Sequence, residues 1–211
     1  MSGKTDAIKF GTRKLFHTIL KSTKGEQRPV VGVISELTSA DLRRPDLSRS
    51  LWKRTKFGEN IIDDYRVKAT GRYTPESLIS PEEDVRFFAT EIADKKGKSK
   101  AITLGEAKVR DEFICLDRLQ SIKNHSRNEI KGGGSGILYA VVNLAKKLNK
   151  SLVTLEAHKK SIPFYRKLGM SEFANGNLHF FRVYKQNYDE FLQNLERKFS
   201  ITQANEINFH A

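Results

Sequence analysis

The chain has 211 residues, of which 38% are apolar and 30% charged, a balance typical of folded globular proteins rather than disordered ones. Basic side chains exceed acidic ones by 13, which favours acidic partners such as nucleic acid or a phosphorylated cofactor. No apolar run approaches the roughly 18 residues that a membrane-spanning helix needs, and the first 21 residues lack the apolar core of a secretion signal.

We therefore expect a cytoplasmic protein with no membrane partner. The single cysteine, Cys115, excludes an intramolecular disulfide and a cysteine-cluster metal site, and we expect no metal cofactor. Because Cys115 lies in a strand-like apolar run, we expect it to be a small core residue.

The first 84 residues form a basic N-terminal part, either within the main domain or as an extension. Apolar residues within 6–21 recur at near-helical spacing and predict an amphipathic helix, and PVVGVIS (29–35) predicts a short buried strand. The first 70 residues carry 15 basic and 8 acidic side chains. Their densest stretch, RRPDLSRSLWKRTKF (43–57), is typical either of a solvated helical face or of a nucleic-acid or tRNA contact.

The region 85–186 shows a clearer pattern, which begins with three strand-length segments. VRFFATEIA (85–93), KAITLGEAKVR (100–110) and EFICLDRLQSI (112–122) are rich in apolar and β-branched residues, and a turn signal separates the first two. They predict an antiparallel three-stranded meander.

The segments that follow the meander alternate between helix and strand. A helix is predicted after the glycines because Ile137, Val141, Leu144 and Leu148 form one stripe. The remaining predictions are a crossover strand SLVTLEA (151–157), a helix SIPFYRKLG (161–169), a hairpin MSEFANGNLHFFRVY (170–184) and, within the C-terminal part 187–211, a helix YDEFLQNLERKF (188–199). We expect an α/β fold, with a mixed and mostly antiparallel sheet flanked by helices and one parallel pair at the crossover.

The sequence KGGGSG (131–136) places four glycines at the start of the predicted helix. The N–H groups at a helix start lack intrahelical partners, and glycines would let a phosphate approach them closely, with Lys131 adding positive charge. The run lacks the closing Gly-Lys-Ser/Thr of a nucleotide-triphosphate loop and is not a dinucleotide-binding pattern. It predicts either a phosphate-binding loop or a slack connector.

Two segments in this order resemble the GNAT superfamily of acetyltransferases. KGGGSG is similar to that family's pyrophosphate loop, with Lys131 at the usual Arg or Gln position and Gly134 and Gly136 at the glycine positions. IPFYRKLGMSEF (162–173) resembles the later helix and strand of the family, and the resemblance covers about residues 85–184. The chain departs from the pattern in its lysine and in a longer loop before the glycines.

The resemblance implies that acetyl-CoA is the co-substrate and lies where two parallel strands part, here 112–122 and 151–157. It implies backbone contacts to the pantetheine arm near Leu119, Gln120 and Ser121, with the pyrophosphate on the loop. The cofactor-binding residues it implies are Leu119, Gln120, Ser121, Lys131, Gly132, Gly133, Gly134, Ser135, Gly136, Ser161 and Tyr165.

The resemblance further implies direct attack of an amine on the thioester, which needs a base and an acid. Tyr165 matches the position of the acid, and the less favoured alternative is a core aromatic residue beside Phe164. Glu112, Asp117 and Glu156 are the candidate bases, each with a structural alternative, and a chain of water molecules is a further option.

We therefore expect an N-acetyltransferase whose acceptor is an amine of a protein, a nucleic acid, an aminoacyl-tRNA or a small molecule. The alternatives are a transferase of longer acyl groups and a non-catalytic nucleic-acid-binding protein on the same scaffold.

Overall fold

The computed structural model describes residues 13–22, 29–37, 41, 84–93, 99–121 and 130–203. The basic stretch 43–57 and most of the segment between the second and third strands lie outside the described residues. The strands are β1 Arg13–Ser22, β2 Pro29–Glu36, β3 Asp84–Ala93, β4 Ser99–Val109, β5 Phe113–Ser121, β6 Ile130–Lys131, β7 Leu152–Glu156, β8 Ser171–Asn175, β9 Leu178–Tyr184 and β10 Thr202–Gln203. The helices are α1 Gly133–Lys147, α2 Ile162–Lys167 and α3 Tyr188–Phe199.

All ten strands join one sheet in the order β10-β1-β2-β3-β4-β5-β7-β9-β8, with β6 paired to the end of β1. The meander of β3, β4 and β5 is antiparallel, and β5 and β7 form a parallel pair across α1, so both predictions are confirmed. Strands β1 and β2 extend the sheet beyond β3, which places residues of the basic N-terminal part in the same sheet as the middle of the chain.

The prediction of a helix over 6–21 was wrong where the structure describes that segment, because Arg13–Ser22 is β1. Phe16, Thr18 and Leu20 alternate along the strand and are buried. Because the middle one of these three residues, Thr18, is polar, a hydrophobicity count along the sequence does not detect the alternation. Thr18 tolerates burial because its hydroxyl donates a 3.2 Å hydrogen bond to the Phe199 carbonyl at the end of α3.

The main core lies between one face of the sheet and the helices α1 and α3. Ile137 and Val141 of α1 are fully buried there, as the predicted stripe requires, and Leu144 packs against them partly buried. Leu148 departs from that prediction, because it lies just past the end of α1 and is 42% exposed. Tyr139 of α1 donates a 2.6 Å hydrogen bond to Glu196 of α3, and burial together with this bond raises its pKa.

The opposite face of the sheet carries a smaller apolar cluster of Leu37, Phe87, Ala89, Ala101 and Leu104.

Two predictions for the C-terminal half, a helix end and a hairpin turn, are also confirmed. Gly169 ends α2 with a φ of 81°, and the Asn175-Gly176 turn joins β8 to β9 with a φ of 60° at the glycine. In the described part of the chain, no helix has the length and apolar character needed to cross a membrane.

Candidate functional site

The parallel strands β5 and β7 are paired only over their first residues. Phe113, Ile114 and Cys115 pair with residues 152–154, after which β5 continues to Ser121 while β7 ends at Glu156. The two strands therefore part beyond Cys115, and backbone groups of β5 past that point have no partner on the β7 side among the described pairings.

A β-bulge marks the place where the strands part. Leu116 pairs with Ala107 and Arg118 pairs with Glu106, so Asp117 is the extra residue on β5. The bulge shifts the alternation of side chains along β5, so Leu116 and Leu119 both contribute to the core beneath α1 although they are three residues apart. Leu119 thereby comes to lie beside the start of α1.

The glycine run was predicted as a loop before a helix, and the structure refines this. Gly132, with a φ of 110°, precedes α1, whereas Gly133 to Gly136 form its first turn. The Gly136 N–H donates to the Gly132 carbonyl at 3.1 Å, so the N–H groups of residues 132–135 are those without a partner inside the helix.

The glycines differ in what they face. Gly133 and Gly136 pack on the sheet: a Cβ on Gly133 would overlap Thr103 Oγ1, and one on Gly136 would lie 2.9 Å from Ile34 Cδ1. A Cβ on Gly134 would make ordinary contacts with Phe164 and Leu119. Packing on the sheet therefore accounts for Gly133 and Gly136, and the opening beside α1 involves Gly134.

A cleft of about 540 Å³ opens at the start of α1, between that helix, the end of β5, α2 and the end of α3. The structure brings most of the predicted cofactor-binding residues together in it. Those that line the cleft are Leu119, Ser121, Lys131, Gly132, Gly133, Gly134, Ser135, Ser161 and Tyr165. Gln120 and Gly136 belong to the predicted set but do not line it.

Ser135 has a polar atom that the described structure leaves without a partner. Its side chain is buried, and the Oγ has no hydrogen-bond partner among the described residues. A buried hydroxyl in this state is costly unless something else supplies a hydrogen bond. Because Ser135 lines the cleft at the start of α1, a ligand with acceptor oxygens would satisfy it.

Tyr165 is buried beneath the cleft in an aromatic environment. Its ring centroid lies 5.0 Å from that of Phe164 and 5.2 Å from that of Phe181. Burial raises the pKa of Tyr165 to about 12, so the phenol stays protonated at neutral pH. Tyr165 packs in the core and also lines the cleft, and its role as the acid stays a prediction.

The three candidate bases lie in different places. Glu112 immediately precedes β5, its carbonyl accepts hydrogen bonds from the N–H and hydroxyl of Ser151, and it does not line the cleft. Asp117 is on the bulge, ion-paired with Lys108 at 2.6 Å. Glu156 ends β7, is exposed, and has no ion-pair partner among the described residues.

Alternation along the strands places Asp117 and Glu156 on the sheet face opposite α1. Val153 and Leu155 of β7 point into the core under α1, so Thr154 and Glu156 point the other way. Tyr165 packs on the α1 side. The parting of β5 and β7 thus has a phenol on one face of the sheet and two carboxylates on the other.

Cys115 was predicted to be a core residue, and the structure shows it half-buried beside this opening. Its thiol donates a 3.1 Å hydrogen bond to Asp117. Burial, with a further contribution from that bond, raises the pKa of Cys115 to about 12. The thiol is therefore protonated and a poor nucleophile at neutral pH.

Sequence reasoning missed several residues of the cleft. They are Lys21, Ile130, Lys160, Phe164, Lys167, Leu168, Lys198 and Phe199. Lys21 and Lys198 lie on β1 and α3, far from the glycines in sequence, so no local pattern could have found them. The nearby His158 does not line the cleft, and its Nδ1 accepts a 3.3 Å hydrogen bond from the Lys160 N–H.

No group of three or more histidine, cysteine, aspartate or glutamate side chains suited to a metal ion occurs in the ranges that the structure describes. No protein-family model matches the chain, and no curated protein matches it at a significant level.

Solved structures do match the fold. One is AtaTR bound with AcCoA, at 12% identity and a TM-score of 0.50, covering 75% of this chain and 96% of that one. A second is PaiA N-acetyltransferase from Thermoplasma acidophilum in complex with coenzyme A, at 18% identity, with coverages of 72% and 98% and a TM-score of 0.48. A third is a GNAT-family acetyltransferase from Staphylococcus aureus, at 14% identity, with coverages of 73% and 99% and a TM-score of 0.45.

The match to AtaTR spans nearly the whole of that chain. It establishes the fold as a mixed, mostly antiparallel sheet flanked by helices, of the GNAT acyl-CoA N-acyltransferase type. The resemblance predicted from the two sequence motifs is confirmed at the level of the fold.

Proposed function

We propose that this GNAT-type fold is an acetyl-CoA-dependent N-acetyltransferase whose cofactor lies in the cleft at the start of α1. The observation that carries the proposal is the position of the cleft. It lies along the end of β5, beyond the residues that pair with β7, at a helix start whose first N–H groups lack intrahelical partners and beside a buried phenol. The same opening offers anion-binding groups and an unpaired strand edge, which suit the diphosphate and the amide-bearing arm of a CoA thioester.

The residues present fit such a cofactor. The N–H groups of residues 132–135 and the ammonium of Lys131 would bind the diphosphate, and Ser135 Oγ would gain the partner it lacks. Backbone groups of Leu119 and Ser121, at the end of β5 that is paired with β4 but not with β7, would bind the amides of the pantetheine arm. The absence of a side chain on Gly134 keeps the cleft open between Phe164 and Leu119.

The residues are assigned to acid–base catalysis of the direct transfer of the acetyl group from acetyl-CoA to an amine. Glu156, which has no ion-pair partner among the described residues, takes a proton from the acceptor ammonium. Asp117 is the less favoured candidate for this base, because its carboxylate is already ion-paired with Lys108. The amine nitrogen then bonds to the acetyl carbonyl carbon as the carbon–sulfur bond breaks. Tyr165 gives its proton to the leaving thiolate, and the second proton of the nitrogen restores the phenol.

The acceptor is an amine, and the excess of basic side chains favours one carried by an acidic macromolecule such as tRNA, or by a protein. The non-catalytic nucleic-acid-binding protein is kept as an outcome of the test, since the basic stretch on which it depends lies outside the described residues.

Calorimetric titration of acetyl-CoA into the wild type, Gly134→Glu and Gln193→Glu tests the proposal. Both variants add one negative charge, but Gln193 is exposed on α3 and does not line the cleft. We expect micromolar binding by the wild type and Gln193→Glu, and binding weakened by more than about tenfold, or about 1.4 kcal/mol, in Gly134→Glu.

Circular dichroism of Gly134→Glu would establish that the variant is folded. If the wild type binds no acetyl-CoA, the enzymatic proposal fails. Salt-dependent binding of RNA or DNA would then support the non-catalytic alternative.

A further inference from the structure

Three lysines come together at one end of the cleft through the packing of their neighbours in sequence. A Cβ on Gly132 would lie 3.2 Å from Leu20 Cδ2 and 3.4 Å from Phe199 Cδ1 and Cε1, so β1, the start of α1 and the end of α3 meet at this glycine. Each of these residues adjoins a lysine that lines the cleft. Lys21 follows Leu20, Lys131 precedes Gly132 and Lys198 precedes Phe199. We call Lys21, Lys131 and Lys198 the three-lysine cluster.

Two members of the three-lysine cluster face each other across a strand pair. Lys21 of β1 and Lys131 of β6 are directly opposite in the antiparallel register, and both are exposed. Side chains at such positions have Cβ atoms about 4.5–5.5 Å apart, and like charges there are destabilising. An anion bound between the two ammonium groups would remove this repulsion.

The three-lysine cluster also lacks counter-ions. Among the described residues, none of its members has an ion pair with an acidic side chain, and none of those that line the cleft is acidic. Elsewhere, basic side chains are commonly paired: Arg86 with Asp84 at 2.6 Å, and Arg166 with Glu172 at 2.6 Å. Positive charge has therefore been concentrated at this end of the cleft without neutralisation.

We propose that the three-lysine cluster binds the phosphates at the adenosine end of coenzyme A, with Lys131 on the diphosphate and Lys21 and Lys198 on the 3′-phosphate, and so makes the protein selective for CoA over its 3′-dephospho form. This inference rests on the proposed function. The diphosphate of CoA carries about two negative charges, which the start of α1 and one lysine can balance. The 3′-phosphate is a monoester with a charge of about −1.5 to −2 near neutral pH, comparable to a phosphorylated side chain, and it calls for further cations.

The assignment distinguishes the two ends of the cleft. Lys160 and Lys167 line it beside α2, on the side of Tyr165 and Phe164. Since the thioester must reach Tyr165 for the proposed reaction, the end formed by β1, β6 and α3 is left for the adenosine end of the cofactor. Lys21 and Lys198 are therefore predicted to be specificity-determining residues supplied by elements outside the two sequence motifs.

The test is a comparison of CoA and 3′-dephospho-CoA by calorimetry, with the wild type, Lys21→Gln/Lys198→Gln and Lys160→Gln/Lys167→Gln. Each double variant loses two positive charges, and Lys147→Gln, at the far end of α1, controls for a single loss. We expect the wild type to bind CoA at least about tenfold more tightly than dephospho-CoA. In Lys21→Gln/Lys198→Gln we expect this ratio to fall below about threefold, with dephospho-CoA binding changed less than CoA binding.

The outcomes separate the inference from the function on which it rests. If the wild type binds neither ligand, the proposed function fails. If it binds both equally, or if only Lys160→Gln/Lys167→Gln loses the preference for CoA, the function stands and the three-lysine assignment is overturned. Recovery of the ratio in Lys21→Arg/Lys198→Arg would support a role of charge, and thermal melting of each variant would show that the fold is kept.

Discussion

Thr103 Oγ1 occupies the space that a side chain on Gly133 would need. A Cβ on Gly133 would also lie 3.0 Å from Thr103 Cβ. A second threonine, Thr90, holds the same residue, because its Oγ1 donates a 2.8 Å hydrogen bond to the Gly133 carbonyl. The first turn of α1 is thus anchored on β3 and β4 through backbone contacts that only a glycine permits. This anchoring fixes the position of the N–H groups that face the cleft.

Gly133→Ala should therefore lower the free energy of unfolding by about 1–3 kcal/mol, because the new methyl group must push α1 away from the sheet. Gly134→Ala is the matched control, since its Cβ would lie 3.4 Å from Phe164 Cζ and 3.5 Å from Leu119 Cδ2, which are ordinary contacts. Urea denaturation measures both variants. Equal stability of the two would contradict the packing role of Gly133.

Tyr165→Phe removes a hydroxyl and keeps the ring contacts with Phe164 and Phe181. If Tyr165 is the acid, kcat should fall by about 10²-fold or more, while the affinity for acetyl-CoA stays near that of the wild type. Because the pKa of Tyr165 is raised to about 12, the phenol is protonated up to about pH 11 and should contribute no alkaline loss of activity below it. A kcat close to that of the wild type would assign the residue to the core alone.

Glu156→Gln tests the base, and Glu112→Gln is its control because Glu112 lies at the other end of β5, away from the cleft. We expect Glu156→Gln to lower kcat/KM by about tenfold or more, because an amide cannot take a proton from the acceptor ammonium. Glu112→Gln should stay within about twofold of the wild type. Should Glu156→Gln keep full activity, Asp117→Asn is the next variant, and if it too is active a water chain is the remaining base.

A surface cluster on the β8–β9 hairpin predicts a pH dependence of stability. Glu172 accepts two hydrogen bonds from Arg166, at 2.6 and 2.9 Å, and one of 2.8 Å from His179. The bonds from Arg166, followed by that from His179, lower the pKa of Glu172 to about 2. A lowered pKa in the folded state stabilises the fold fully above the ordinary value near 4.5, and this stabilisation is lost as the pH falls towards 2.

Glu172→Gln should accordingly lower Tm by on the order of a degree at pH 7 and leave it unchanged near pH 2. Thermal melts at the two pH values make the measurement, with Arg166→Gln expected to show the same pH dependence. A Tm difference that persisted at pH 2 would point to lost packing rather than lost charge.

The segments that the sequence predicts well are those whose pattern is local. The stripe that includes Ile137 and Val141 specifies α1, and the Asn175-Gly176 turn specifies the β8–β9 hairpin. In β1 the inward positions are Phe16, Thr18 and Leu20, and the central threonine is buried only because α3, 181 residues away, supplies an acceptor. A local hydrophobicity count therefore favours a helix where long-range pairing imposes a strand.

The candidate site likewise contains residues that a local pattern predicts and residues that only long-range packing brings together. The motif residues Gly134, Ser135 and Tyr165 were predicted, and they do line one cleft. The role of each glycine could not be assigned from the sequence, because Gly133 is required by a threonine on β4. Lys21 and Lys198 could not be predicted either, since their neighbours meet only through the packing of β1 and α3 around Gly132.

The hydrogen bond between Thr18 and the Phe199 carbonyl has a consequence for synthesis on the ribosome. The strand β1, which contains Thr18, is made early, but its partners α3 and β10 are among the last described elements to be translated. The sheet from β2 to β9 can pair before then, whereas the end of the cleft that contains Lys198 can form only once α3 has left the exit tunnel. Tight binding of the complete cofactor should thus be a property that nascent chains acquire in a late step, after most of the sheet has formed.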